Sequence, residues 1–90
     1  MSQYEKMLAR VTSKKIPCDI TPQELHTFLS KFGFREQGTN GDHRTYKYDK
    51  YPYLITIPVA SKTVKFAYIK QIREAIERIK EDGEKNYGNN

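Results

Sequence analysis

The dipeptide Asn40-Gly41 constrains this chain more than any other feature. Both positions tolerate positive φ, so the pair marks a two-residue hairpin loop. Its flanks alternate between polar and apolar side chains, so residues 34–39 and 42–49 read as two strands, and about 53–57 as a third that ends at Pro58. A two-residue loop joins antiparallel neighbours only, so a parallel α/β sheet is excluded at this point. Alternation puts Arg44, Tyr46 and Tyr48 on one side of the second strand and His43, Thr45 and Lys47 on the other. Tyr53, Ile55 and Ile57 line one side of the third, so one face of the sheet is apolar and the other is polar and open.

Helical patterns flank these strands. Thr21 is an N-cap, Pro22 takes the first helical position, and Glu24 completes a Thr-x-x-Glu capping box. Leu25, Phe28, Leu29 and Phe32 follow at i, i+3, i+4 and i+7, and Gly33 supplies a left-handed stop. Upstream, residues 4–11 carry Tyr4, Leu8 and Val11 at helical spacing until Lys14-Lys15-Ile16-Pro17 breaks the pattern. Downstream, a helix is expected over residues 65–81, with Phe66, Ile69, Ile72, Ile76 and Ile79 as its apolar stripe and Gly83 as its terminator. The polar residues 84–90 complete a tail, 83–90, expected to be disordered. The order α-α-β-β-β-α predicts an α+β fold: a two-layer sandwich of the double-stranded-RNA-binding-like kind, with a three-stranded antiparallel sheet and flanking helices. The chain divides into an N-terminal helical extension (1–17), one folded domain (18–82) and the tail (83–90).

Ninety residues bury only about 60–65% of the unfolded surface, which leaves a thin core and favours an extended ligand on the surface over an engulfed metabolite. No apolar run approaches the roughly 20 residues of a membrane span, and Met1 to Lys6 do not lead into a signal-peptide core, so a cytoplasmic protein with no membrane partner is expected. The lone Cys18 cannot form an internal disulfide and is read as structural or incidental. His26, His43, Cys18 and the scattered carboxylates show no metal-ligand spacing, so no metal is expected. Gly38-Thr39-Asn40-Gly41 is a hairpin rather than a strand-to-helix phosphate loop, and no small-molecule cofactor is expected.

The charge is unevenly placed. Arg44, Lys47, Lys50, Lys62, Lys65, Lys70 and Arg73 face only Asp49 within residues 44–73, a net +6, while the remainder carries nine basic and ten acidic residues. A concentrated basic region attracts phosphates, and Arg44, Lys47, Lys62, Lys65 and Lys70 are the candidate RNA contacts. The competing reading is a merely solvated basic face.

Several elements in sequence carry a resemblance: Phe32-Gly33-Phe34 at the helix end, Gly41-Asp42-His43-Arg44-Thr45-Tyr46 at the hairpin, Ile55-Thr56-Ile57-Pro58 at the third strand, and Val64-Lys65-Phe66-Ala67-Tyr68-Ile69-Lys70-Gln71-Ile72 into the last helix. Their order and spacing over residues 21–80 resemble the HicA (YcfA-like) toxins. Asp42 stands where that family usually has Ser or Gly, and Tyr48-Asp49 stands where His-Pro often follows the second strand. The resemblance implies an endoribonuclease that cleaves messenger RNA, the toxin half of a type II toxin–antitoxin pair neutralised by a HicB-type antitoxin. It also implies that His43 is catalytic, with Gly41 and Asp42 as its turn.

RNA can be cut without a metal when a base removes the 2′-hydroxyl proton, and a near-neutral imidazole suits that step. Lys47 shares the open face with His43 and is a candidate for stabilising the phosphorane. His26 sits at the edge of an apolar stripe and reads as structural, Tyr46 and Tyr48 read as core, and Tyr51 and Tyr53 lie near a loop where stacking on a base is conceivable. The alternatives are a non-catalytic RNA-binding module on the same basic surface and a protein-interaction module that meets an acidic partner.

Overall fold

The structure is a computed structural model that describes residues 2–15 and 17–88, with side chains described to residue 81. Its elements run α1 (Gln3–Val11), α2 (Pro22–Phe32), β1 (Arg35–Asn40), β2 (His43–Tyr48), β3 (Tyr51–Pro58) and α3 (Phe66–Gly88). This is the expected α+β order, with one antiparallel sheet in the order β1-β2-β3 and helices flanking it.

The first two helices begin where the sequence supplies a cap. The Ser2 side chain accepts from the Glu5 amide at 3.1 Å and opens α1. At α2 the full capping box forms: Thr21 Oγ1 accepts from the Glu24 amide at 3.2 Å, and Glu24 Oε1 accepts from the Thr21 amide at 3.0 Å. Gly33 ends α2 with φ +124°, a conformation that L side chains avoid. Its amide and that of Phe34 both donate to the Leu29 carbonyl, turning the chain directly into β1.

The core lies between the helices and one face of the sheet. Val11, Leu25, Phe28, Leu29, Ile69, Ile72 and Ile76 from the helices meet Tyr46, Ile55 and Ile57 from the strands. Tyr46 pairs with Ile55, and Arg44 with Ile57, so these residues share the helix-covered face. His43 pairs with Pro58 and Thr45 with Thr56 on the opposite face. The alternation expected along β2 is therefore present.

Four expectations are corrected. The hairpin loop is Gly41-Asp42 rather than Asn40-Gly41, because Asn40 pairs with His43. Of the two loop residues only Gly41 has positive φ (+61°), the pattern of a type II′ turn with glycine at its first central position. Tyr53 does not line the core. The β2–β3 register shifts between Tyr46 and Tyr48, so that Tyr51 meets Tyr48 and residues 52–54 bulge outward. Tyr51 takes the buried place, while Tyr53 and Leu54 are exposed. Phe66 is exposed as well, since it opens α3 ahead of the stripe that Ile69 begins. Finally, α3 continues past Gly83 to Gly88, so residues 83–88 of the expected disordered tail are helical, and residues 89–90 lie outside the described residues. A glycine inside a helix costs only about 1 kcal/mol, which the helix-forming Glu84 and Lys85 beside it help to offset.

Of Gly33, Gly38 and Gly41, Gly33 is the one with least room for a side chain. A Cβ there would sit 3.0 Å from the Tyr48 ring in addition to the unfavourable φ. Gly33→Ala is expected to lower stability by more than about 1 kcal/mol in a denaturant titration.

Candidate active site

The hairpin tip is held by a bond outside the hairpin itself. The Val59 amide donates to the Asp42 carbonyl at 2.7 Å, extending the β2–β3 pairing one step beyond His43 and Pro58. The chain then returns across the end of the sheet, and the Val64 amide donates to the Ile20 carbonyl at 2.8 Å. Residues 59–64 are thus pinned at both ends, and they deliver the start of α3 to His43.

The result is a cleft of about 290 Å³ lined by Asp42, His43, Pro58, Ala60, Ser61, Lys65 and Tyr68. His43 is exposed at the first position of β2, and Tyr68 is half-buried. Lys65 occupies an unusual position. Its carbonyl accepts the first bond of α3, from the Ile69 amide at 3.5 Å, and also accepts from the Tyr68 amide at 3.1 Å, so Lys65 is the N-cap, and the first turn of that helix has no acidic residue. N-caps favour Ser, Thr, Asp or Asn, and the positive end of a helix dipole favours an anion. Here a lysine stands at the positive end of a helix and lines the cleft, an electrostatically unfavourable arrangement.

The candidate cations are distributed over several places. Lys65 reaches the His43 cleft. Arg44 and Lys62 line a second cleft, also of about 290 Å³, with Thr21, Pro22, Gln23, Val59 and Ser61. Lys47 is exposed on β2 four residues from His43, roughly 13 Å along a strand, too far for the two to hold one phosphate. Lys70 is exposed on α3 and lines neither cleft. Among the described residues, the four ion pairs all use arginine: Arg10–Asp19, Arg35–Asp49, Arg44–Glu36 and Arg73–Glu77. Arg73 also donates to the Ser13 carbonyl at 3.3 Å and so ties α3 to the end of α1. Among the described residues, no lysine makes an ion pair.

Sequence reasoning missed Tyr68. The available signal was its place three residues after Lys65 and one before Ile69, beside the apolar stripe and on the side of the helix that Lys65 also faces.

A polar cluster lies on the other side of β2. The Arg44 Nε atom is 3.5 Å from Glu36 Oε1, and Arg44 Nη1 is 3.3 Å from His26 Nδ1. The Tyr46 hydroxyl also bonds His26 Nδ1. A guanidinium has no acceptor, so Nδ1 must accept and the ring proton resides on Nε2. His26 is thus a half-buried tether between α2 and β2, as its position at the edge of the stripe suggested. Burial raises the Tyr46 phenol above its ordinary value of 10.0, against a smaller lowering by Arg44.

The widest cleft among those described, about 490 Å³, lies apart from these residues, between α1 and the segment around Pro17, Cys18 and Asp19. Of its three charged members, Arg10 and Asp19 pair with each other, and Lys15 is the third. Among the described residues, no three His, Cys, Asp or Glu side chains gather as metal ligands, and no helix is long and apolar enough to cross a membrane.

The structure is thus an α+β domain in which a histidine and a lysine converge on one cleft at the end of the sheet. The family described as "HicA toxin of bacterial toxin-antitoxin" matches residues 22–81, and the chain belongs to it. No curated protein and no solved structure gives a match.

The Tyr46 shift has a testable sign. Below pH 10 the phenol is protonated in both folded and unfolded chains. Above its unfolded value of 10.0 only the unfolded chain ionises, so stability is lost as pH rises toward the raised folded value. Tyr46→Phe is expected to cost about 1–2 kcal/mol at neutral pH through the lost hydroxyl bond, and to flatten the decline above pH 10 in pH-dependent denaturation.

Proposed function

We propose that this chain is the toxin of a type II toxin–antitoxin pair and acts as a metal-independent endoribonuclease on messenger RNA, with His43 as its general base. Membership of the HicA family supports the toxin role. The observation that carries the chemistry is the single cleft shared by His43, Lys65 and Tyr68. The imidazole takes the 2′-hydroxyl proton, the 2′-oxygen attacks the adjacent phosphorus, and the 5′-oxygen leaves as the P–O bond breaks. Lys65 stabilises the charge on the phosphorane, a role that Lys47 is too distant to fill. The departing oxygen requires a proton. Lys65 and Tyr68 are the donors that line the same cleft, and comparing Lys65→Ala with Tyr68→Phe separates them.

His43→Ala is expected to lower RNA cleavage by about 10²–10⁴ while leaving RNA binding and the fold almost unchanged. Cleavage should persist in chelator and fail on a strand lacking 2′-hydroxyls. Cutting of the deoxy strand, or full activity in the variant, would refute the mechanism.

Lys65→Ser tests the helix-end argument. It replaces a poor N-cap with a good one and is expected to raise stability by about 0.5–1 kcal/mol while weakening RNA binding. A loss of stability together with unchanged binding would show that Lys65 serves the fold instead.

The non-catalytic RNA-binding reading draws on Asp42, whose position in the cleft sets a carboxylate where a phosphate would approach. Failure of the pure protein to cut any RNA, with cutting gained by Asp42→Ser, would favour it. A HicB-type antitoxin is the proposed inhibitor, covering the cleft and meeting the free lysines with acidic groups. Hydrogen exchange in the complex should then protect residues 42–47. Protection confined to α1 with cleavage intact would count against this partner site.

A further inference from the structure

The two basic clefts lie on either side of one segment. His43 and Arg44 are consecutive on β2, so their side chains leave opposite faces of the sheet. His43 opens into the cleft with Lys65, and Arg44 into the cleft with Lys62. Residues 59–62 cross the sheet end between them, and Ser61 lines both. Because Val59 bonds Asp42 and Val64 bonds Ile20, the spacing between the clefts is set by the backbone.

The second cleft has the chemistry of a phosphate seat. No carboxylate is among its lining residues, whereas the first has Asp42. Arg44 enters it already oriented, with Nε beside Glu36 and Nη1 on His26, which the buried Tyr46 holds in turn. A guanidinium fixed in this way loses little rotamer freedom on gripping a phosphate, and its fork matches phosphate oxygens. Lys62 is exposed on the crossing segment and makes none of the ion pairs among the described residues. The neighbouring N-terminus of α2 is satisfied by its own capping box, so the two side chains, and not that helix end, carry the argument.

We propose that the Arg44–Lys62 cleft is a second phosphate subsite, seating the phosphate next to the one held against His43, so that a single RNA strand bends over residues 59–62. The proposal rests on the reading that the ligand is RNA. It makes His26 a positioning residue, acting through Arg44.

The experiment measures binding of uncleavable 2′-O-methyl dinucleotides, with one phosphate, and trinucleotides, with two. The wild-type protein should bind the trinucleotide more tightly. Lys62→Ala and Arg44→Gln should each weaken the trinucleotide by about tenfold and leave the dinucleotide unchanged. The log–log salt slope for the trinucleotide should become shallower by about 0.7 in Lys62→Ala. His26→Leu should weaken the trinucleotide alone, and His26→Gln, which keeps an acceptor, should restore it. Lys62 is exposed on the crossing segment, so its variant answers the question even if Arg44→Gln fails to fold. A dinucleotide that binds with no gain from the second phosphate, or variants that weaken both ligands alike, would overturn the subsite and leave the RNA reading intact. If neither oligonucleotide binds at all, the RNA reading fails with it. Cleavage plays no part in the assay, so an inactive enzyme does not affect its outcome.

Discussion

Tyr46 occupies the middle strand, with its ring wholly buried between the sheet and the helices. Its backbone pairs with Glu36 on one side and Ile55 on the other, and its hydroxyl reaches His26 on α2. One residue thus joins all three strands to a helix and fixes which way β2 faces. A slip of one position would send Tyr46 into water and bring Thr45 inward, a change the apolar core forbids. That constraint settles the direction of every other side chain on the strand. Arg44 must lie under the helices and His43 must stand on the open side, so the hydrophobic effect orients two polar residues that it never touches.

Local signals in the sequence proved reliable because the physics behind them is local. The Thr21–Glu24 box, the Leu25–Phe32 stripe and the Gly33 stop depend on residues within two turns of one another, and each appears as expected. Two of the errors arose where strand pairing decides. Asn40-Gly41 is an excellent loop by itself, yet pairing of Asn40 with His43 moves the loop on by one residue. Nothing in Tyr51-Pro52-Tyr53-Leu54 announces which tyrosine goes inside, because the answer depends on a bulge defined only against β2. The candidate cleft followed the same division. His43 and Lys65 each stood out in the sequence, but nothing local placed them together. Lys47 shares the strand face of His43 and seemed the natural helper, but Lys65 and Tyr68 arrive from twenty or more residues away through the return of residues 59–64.

The departures from good helix design are concentrated at one place. α1 and α2 each have a hydroxyl cap and an acidic residue in the first turn, while α3 has a lysine cap and no acid. A chain that caps two helices well and leaves the third electrostatically unfavourable concentrates its local conflict at that third helix. The conflict sits beside the one motif histidine, at the cleft to which the proposed function assigns an anionic ligand.

The outer strand β1 carries a different lesson. All six of its residues are exposed, and it lies at the margin of the sheet with unpaired backbone groups on its far side. Such a margin invites strands from other molecules. Here the invitation is short. The pairing of β1 breaks between Glu36 and Gly38, leaving two regular positions before the irregularity and three after it. Arg35 and Glu36 add charge to the shorter stretch. An incoming strand would lose step within three residues, so the irregularity that looks like a flaw in the hairpin also guards a bare edge against runaway self-assembly.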